Sequence, residues 1–293
     1  MGLVVTTEGI VLNEPLRLGP YRARLILKGE AGHELDAKVF ERRLGPLRDP
    51  EPLEELDEDL LVSLRSTQGP WPKPNQPVHS RLAPLWSPKG WTLRRADLEA
   101  DLAPMIYTVE GECAPTLKAA EACLMFLVWL LGTSTTGTGL LLRAACTVHE
   151  GVARCFPGYE RGGKSTLVDT CPGELALSDD VVLLTLEQGQ WRAWPSPFFS
   201  WERQLSQGVD PLRGFPVASV SFLQPAPMTR FEPLRPDEAL TRLMEHAVTF
   251  DAFARNSSRT FELAAELAQA MSQRGALGVL HLRKGCPPYP SLP

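Results

Sequence analysis

The chain has 293 residues, of which 43% are hydrophobic and 22% charged, and its formal net charge is -5. This length suits one large domain or two modest ones with a sizeable core. The mild acidity and the scattered basic residues give no electrostatic basis for binding nucleic acid or an anionic membrane, so we expect neither partner.

The cysteines and the N-terminal sequence indicate a reducing compartment. The six cysteines form no C-x-x-C pair and no cysteine–histidine cluster with zinc spacing, which favours isolated thiols. The N-terminus lacks a basic segment followed by a long apolar run, so we expect no signal peptide. The most apolar stretch, Ala122–Leu131, is shorter than the roughly 20 residues of a membrane helix. We therefore expect a cytoplasmic protein.

The first 90 residues are predicted to form a β-rich N-terminal portion that ends in a proline-rich arm. Residues 1–46 alternate apolar and polar positions with turn signals between them. Pro50–Ser66 is predicted to be an acidic helix, because its leucines recur at helical spacing. Residues 69–90 contain six prolines, which predict either a linker or an irregular arm. The tryptophans Trp71 and Trp86 favour an arm that is docked over a free linker.

Residues 91–293 are predicted to form an α/β domain, since strand and helix patterns intermix along this part of the chain. Ala114–Leu131 is predicted to be a buried helix, and Gly132–Gly139 a loop of small residues. The predicted strands are Leu140–Val148, Val152–Phe156, Leu175–Leu177, Val181–Leu186, Val217–Leu223 and Val279–Leu282. Helices are predicted at Pro236–His246 and Ser257–Gln273.

Gly158–Ser165 matches the phosphate-binding pattern G-x-x-x-x-G-K-[ST]. Such a P-loop wraps its backbone N–H groups around phosphate oxygens, and its glycines permit the close approach. Lys164 is expected to supply a positive charge to the β- and γ-phosphates, and Ser165 a hydroxyl to Mg²⁺. The apolar strand before the loop supports this interpretation. The alternative is a glycine-rich turn with a solvated lysine.

Asp179 and Asp180 lie between two apolar runs downstream of the P-loop. Neighbouring residues on a strand point to opposite faces, so the two carboxylates are expected to have different roles. One can accept a proton from a hydroxyl nucleophile, and the other can hold Mg²⁺. The alternative is a solvated turn, since aspartate is common in turns.

Together, the loop and the aspartate pair resemble the active-site core of the HPr serine kinase and phosphoenolpyruvate carboxykinase superfamily. Its members have a histidine-containing strand, a short strand, the P-loop, a brief helix and then an Asp-Asp pair. The resemblance covers Ala144–Leu184 and is weaker toward the C-terminus. It implies an HPr-kinase/carboxykinase-like mixed sheet with flanking helices.

The resemblance also implies roles for individual residues. The catalytic residues would be Asp179 as general base, Lys164, and His149 near the phosphates. The nucleotide would be bound by Gly158, Arg161, Gly162, Gly163, Lys164, Ser165 and Thr166. Mg²⁺ would be bound by Ser165, Asp180 and Glu202. The alternative for His149 is a hydrogen-bonded histidine at a strand end, and the alternative for Glu202 is a surface turn.

Two departures from the family pattern affect the expected reaction. Glu160 and Arg161 replace the small Ser-Gly pair of these kinases. Arg161 could act as an extra phosphate clamp, whereas Glu160 is unfavourable beside an anion. The chain is also much shorter than the carboxykinases and shows none of their further oxaloacetate- and metal-binding groups, so decarboxylation is not expected.

The predicted function is transfer of the γ-phosphoryl group of ATP, or of another nucleoside triphosphate, to a hydroxyl, with Mg²⁺ as cofactor. The expected acceptor is a serine or another hydroxyl of a protein, peptide or small molecule. The competing hypothesis is a nucleotide-binding scaffold or regulatory partner protein without phosphoryl transfer. HPr kinases form oligomers, so the resemblance also allows a homo-oligomer.

Overall fold

The structure is a computed structural model. It describes residues 10–28, 44–48, 60–66, 85–87, 91–96, 107–113, 125, 128–129, 131–159, 162–171, 175–199, 205–206, 208–249, 254–283 and 285. The chain divides into two compact units, Met1–Val128 and Trp129–Pro293.

The first unit contains a six-stranded mixed sheet. Its strands are β1 (Ile10–Leu18), β2 (Tyr21–Lys28), β3 (Leu60–Ser66), β4 (Leu85–Ser87), β5 (Trp91–Ala96) and β6 (Tyr107–Cys113). They lie in the order β1-β2-β3-β6-β5-β4. β3 is parallel to both neighbours, and the other pairs are antiparallel. A short 3-10 turn, Gly45–Leu47, contains the buried Leu47, and Arg48 after it forms an isolated bridge with Leu16 of β1.

Two predictions in this unit need correction. The acidic helix over Pro50–Ser66 is wrong at its C-terminal end, because Leu60–Ser66 is strand β3. The apolar residues at 60, 62 and 64 also fit the strand period of two, and hydrogen-bonding neighbours on both sides select the strand. In the proline-rich arm, Leu85–Ser87 is strand β4 at the edge of the sheet, where flanking prolines are tolerated.

The predicted domain boundary between residues 90 and 91 falls between β4 and β5, which pair with each other.

The second unit contains eight strands and three helices in its described part. The strands are β7 (Gly139–His149), β8 (Val152–Pro157), β9 (Leu175–Ser178), β10 (Val181–Glu187), β11 (Gln190–Trp194), β12 (Phe215–Pro225), β13 (Arg230–Pro233) and β14 (Leu277–Leu282). The helices are α1 (Lys164–Asp169), α2 (Pro236–His246) and α3 (Ala254–Gln273). The fold is thus mixed α/β, with a large mixed sheet and few helices.

The strands of this unit lie in the order β11-β10-β7-β8-β12-β14-β13, with β9 also pairing with β7. β8, β12 and β14 are parallel to one another, and the remaining pairs are antiparallel. β11 pairs in addition with the first residues of β12. The central strand β7 therefore lies between β8, which leads into the P-loop, and β10, which follows the two aspartates.

Most elements predicted for this unit are confirmed, with one difference and two omissions. The predicted small-residue loop begins with a π-helical turn, Leu131–Thr135, in which Thr136 N–H donates to Leu131 O (3.3 Å). The predicted helix before it is described only at residues 125, 128 and 129, which are helical. β11 and β13 were not predicted. β11 follows a tight turn in which Gln188 and Gly189 have positive φ values of 49° and 79°, as two-residue hairpin loops require.

The core beneath the candidate site joins the sheet to α1. Ala145, Phe156, Leu167, Cys171 and Leu280 form one buried cluster. Leu167, in the second half of α1, anchors this short helix to the sheet. None of the helices in the described ranges combines the length and apolar character needed to cross a membrane.

Candidate functional site

The glycine-rich loop leaves β8 at Gly158 and enters α1 at Lys164. Gly162 N–H donates to Tyr159 O (3.0 Å), and a Cβ at Gly162 would lie 2.9 Å from that oxygen. Gly163 has φ 92°, a conformation that glycine adopts at low cost. Both glycines are therefore needed for the path of the loop. Arg161 and Glu160 lie outside the described residues.

Lys164 folds back over its own loop. Its Nζ donates to Gly158 O (2.7 Å) and to Tyr159 O (2.9 Å). The residue is only 8% exposed, so the solvated lysine considered as the alternative does not fit. The ammonium group lies over the first residues of the loop, whose backbone a P-loop wraps around phosphate.

Ser165 connects the loop to the aspartate pair. Its hydroxyl donates to Asp179 Oδ2 at 3.0 Å, and Asp179 is only 1% exposed. A buried carboxylate requires hydrogen-bonding partners, because burial without them is costly. The solvated turn considered as the alternative therefore does not describe Asp179.

The strands around β7 determine where the aspartates lie. Cys146 of β7 pairs with Ser178, and Arg143 pairs with Val181, so the turn between β9 and β10 lies across β7 from the end of β8. Ser178 Oγ lies 2.8 Å from Val181 O and 3.0 Å from Phe198 O, within donating distance of both. Ser178 Oγ also accepts a hydrogen bond from Asp180 N–H (3.1 Å). This buried serine holds the turn that carries Asp179 and Asp180.

The oxygen atoms of Ser165 and Asp179 have a spacing that fits Mg²⁺. Adjacent ligands of an octahedral ion with metal–oxygen distances of about 2.0–2.1 Å lie about 2.8–3.0 Å apart, and the two oxygens lie 3.0 Å apart. No group of three or more His, Cys, Asp or Glu side chains converges within the described ranges. Nucleotide sites that use Mg²⁺ need only one or two carboxylates, because phosphates and water complete the coordination.

Of two other predicted site residues, the structure describes Thr166 but not Glu202. Thr166 lies in α1 and is exposed, and its carbonyl accepts from Thr170 N–H (3.1 Å). Glu202, predicted as a metal ligand, lies outside the described residues.

His149 is not brought to the loop. It pairs with Val152 at the start of β8, whereas Ala144 pairs with Pro157 at its end. Strands rise about 3.3 Å per residue, so this register places His149 about 16 Å from the loop end of β8. Its side chain is 40% exposed, 4.0 Å from a carboxylate oxygen of Glu150. The position near the phosphates that the resemblance implied is therefore corrected, because the β7–β8 hairpin turns at the opposite end of β8 from the loop.

Sequence reasoning missed the end of α2, which lies against the loop. The phenol O–H of Tyr159 donates to Glu245 Oε2 (2.6 Å). The Tyr159 ring packs edge-on against His246, with ring centroids 4.7 Å apart. On its other side, His246 stacks against Phe222 at 6.1 Å. His246 is only 4% exposed.

Charged groups of both signs surround His246. Burial lowers the pKa of His246 below its usual value of about 6.5, and the charges of Lys164, Arg143 and Arg242 lower it further. The charge of Glu245, the largest single charge effect on this group, opposes them and raises the pKa. The imidazole is therefore favoured in its neutral form at the loop.

A contact between distant segments brings α2 to this place. Ala247 forms an isolated bridge with Leu142 of β7, and Val248 N–H donates to Leu141 O (2.9 Å). β8 pairs with β7 only from Ala144 onward, so the residues after α2 occupy the edge of β7 that β8 leaves open. The regular helix pattern of α2 in the sequence carries no signal of this contact.

Comparison with protein-family models and with curated proteins found no match to this chain.

Proposed function

We propose that the protein binds a Mg²⁺–nucleoside triphosphate, with ATP the expected nucleotide, at Gly158–Ser165 and transfers its γ-phosphoryl group to a hydroxyl. The observation that carries this proposal is the convergence of Lys164 and the Ser165–Asp179 hydrogen bond on one loop. A glycine-rich turn without function would not need a buried lysine and a buried carboxylate at adjoining positions.

The proposal extends to the fold, for which we suggest an HPr-kinase/carboxykinase-like arrangement. The loop between β8 and α1 and the aspartates between β9 and β10 follow the chain order of that superfamily. The mixed sheet with β7 at its centre is compatible with it.

The hydrogen bond between Ser165 and Asp179 favours a different division of roles from the one that the resemblance implied. A carboxylate that shares a 3.0 Å contact with the Mg²⁺-binding hydroxyl is suited to the metal side. Asp180, the less buried of the pair, is then the group that accepts the proton of the acceptor hydroxyl. We therefore assign Asp179 to Mg²⁺ and Asp180 to the acceptor.

The remaining chemistry is positioning and charge neutralisation. Mg²⁺, held by Ser165 and Asp179, would neutralise charge on the β- and γ-phosphates. Lys164 would exchange the carbonyls of Gly158 and Tyr159 for phosphate oxygens. Glycines at 162 and 163 let the backbone approach the phosphates closely.

The test measures nucleotide binding and label transfer with γ-labelled ATP and Mg²⁺. Wild-type protein is compared with Lys164→Ala, Asp180→Asn and the control Asp210→Asn, whose carboxylate is exposed in a distant loop. We expect Lys164→Ala to lose binding, Asp180→Asn to bind without turnover, and the control to behave as wild type. Nucleotide binding that is absent, or unaffected by Lys164→Ala, would overturn the proposal.

A second candidate, a nucleotide-binding scaffold without phosphoryl transfer, is favoured by the position of His149. The histidine expected near the phosphates lies at the other end of β8. Under this candidate, wild-type protein and Asp180→Asn bind ATP equally and neither releases labelled phosphate nor transfers it to peptides or small hydroxyl compounds.

A further inference from the structure

Arg143 interrupts the burial of the central strand. It is the single exposed residue of β7, whose other members are buried or half-buried. Arg143 O lies 3.5 Å from Gly158 N at the start of the P-loop, and Arg143 pairs with Val181, the residue after Asp180. This arginine therefore lies between the phosphate loop and the aspartate pair.

Arg242 brings a second guanidinium to the same region from α2. It lies one helical turn before His246 and therefore on the same helix face. Its Cζ lies 5.9 Å from the centre of the Phe222 ring, which also stacks against His246. Within the described part of the chain, neither Arg143 nor Arg242 pairs with a carboxylate.

Three other arginines of this unit have acidic neighbours, whereas Arg213 lies over a phenylalanine ring. Carboxylate oxygens lie 3.5, 3.2 and 3.1 Å from Arg192, Arg230 and Arg235. Solvated arginines are common on protein surfaces, but Arg143 and Arg242 both lie near the loop and His246. Arg143 lies beside the first residue of the loop, Arg242 lies over the Phe222 ring next to His246, and Lys164 folds over the loop, so three cations lie near one loop, with Glu245 as the acidic group among them.

His246 adds a buried polar group to this cluster. Its ring nitrogens make no hydrogen bond within the described ranges. Glu245, the neighbouring acid, already accepts the Tyr159 hydroxyl. Three converging cations and a buried imidazole form a surface that an oxyanion would stabilise, since arginine binds phosphate through paired charge-assisted hydrogen bonds.

We propose that Arg143, Arg242 and His246 form a second oxyanion subsite adjoining the P-loop. This inference rests on the proposed function, because it places the subsite next to the phosphates that Lys164 and Mg²⁺ would bind. The subsite would contact either the outer oxygens of the γ-phosphoryl group or an anionic group of the acceptor.

The variants that test the subsite are Arg143→Gln, Arg242→Gln and the double substitution. Arg213→Gln is a matched control, because its guanidinium also lies over a phenylalanine ring, 5.1 Å from the centre of Phe215. Arg213 lies just before the start of β12, whereas the P-loop follows the end of β8, which is parallel to β12. The control residue therefore lies at the opposite end of these strands from the loop. Thermal unfolding verifies that each variant is folded.

Calorimetry measures the binding of ADP, of a non-hydrolysable ATP analogue, and of inorganic phosphate to the ADP complex. If the subsite holds the γ-phosphoryl, each arginine substitution weakens the ATP analogue by about tenfold or more and leaves ADP unchanged, since a charged hydrogen bond contributes on this scale. If it holds an acceptor group, both nucleotides bind as in the wild type and phosphate binding to the ADP complex is lost. Equal binding of all three ligands by wild-type protein and the double variant would overturn the subsite.

If the proposed nucleotide binding is wrong, the same protein variants give a different pattern of ligand binding. In that case wild-type protein binds neither nucleotide, and pyrophosphate becomes the probe. Pyrophosphate binding that falls in the double variant but not in Arg213→Gln supports the subsite without the nucleotide. Pyrophosphate binding that is absent, or equal in all variants, overturns it.

Discussion

Substitution of Asp179 by asparagine isolates the charge that we assign to Mg²⁺. The position is 1% exposed, and asparagine keeps the size and shape of the side chain. Its amide oxygen can still accept the Ser165 hydroxyl, which now lies 3.0 Å from Asp179 Oδ2. The loop should therefore keep its path, and the main change is one negative charge beside the phosphates.

The size of the effect is estimated from Coulomb's law for a carboxylate near a cation. Two unit charges about 4 Å apart interact by about 4 kcal/mol at an effective dielectric constant near 20. Desolvation of the carboxylate and the cation offsets part of this attraction. We expect a net loss of about 2–3 kcal/mol, which corresponds to about 30- to 150-fold in affinity. The loss should appear only when Mg²⁺ is present.

The assay is fluorescence titration of a labelled ATP analogue with Mg²⁺ and with a chelator. The quantity compared is the ratio of the two affinities, which reports the Mg²⁺-dependent part of binding. We expect this ratio to collapse in Asp179→Asn and to be retained in Asp180→Asn and in the exposed control Asp210→Asn. If Asp180→Asn loses the enhancement and Asp179→Asn keeps it, the assignment of the two aspartates is refuted. A ratio near one for the wild-type protein would refute the Mg²⁺ site itself.

Three further predictions concern stability and the loop. Because burial holds the pKa of His246 below its usual value of about 6.5, the unfolded chain binds this proton more readily, and stability should fall as the pH drops below about 6.5; His246→Gln should flatten this part of a pH series of urea unfolding, and an unchanged slope would contradict it. Thr260→Val should cost about 1–3 kcal/mol, because the buried indole N–H of Trp129 donates to Thr260 Oγ1 (3.0 Å); calorimetric melting checks this, and Thr260→Ser, which keeps the hydroxyl, should recover the part due to the hydrogen bond. Gly162→Ala should weaken nucleotide binding with little loss of secondary structure, since its Cβ would lie 2.9 Å from Tyr159 O; binding equal to wild type would show that the loop does not need this turn.

Local features of the site could be predicted from the sequence. The P-loop pattern specifies a strand, a glycine turn and a helix, and Gly163 has the positive φ of 92° that such a turn requires. The runs around Asp179 predicted strands β9 and β10, because apolar residues bounded by turn residues favour strands. The helix predicted over Leu60–Ser66 was wrong, because the leucines of this segment fit both the helical and the strand period. Pairing with β2 and β6, which no local pattern reveals, decides between them.

The cationic side of the site could not be predicted, because it depends on contacts between distant segments. Arg143 in β7 and Arg242 in α2 are far apart in sequence, and each alone is an ordinary surface residue. The bridge between Ala247 and Leu142 places the end of α2 at the edge of β7 where β8 has already turned into the loop. His246 and Arg242 are thereby brought beside Tyr159 and Phe222. β8 stops pairing with β7 where the P-loop begins at Gly158. The edge of β7 that is left open there pairs with the residues after α2, and α2 brings Arg242 to the loop.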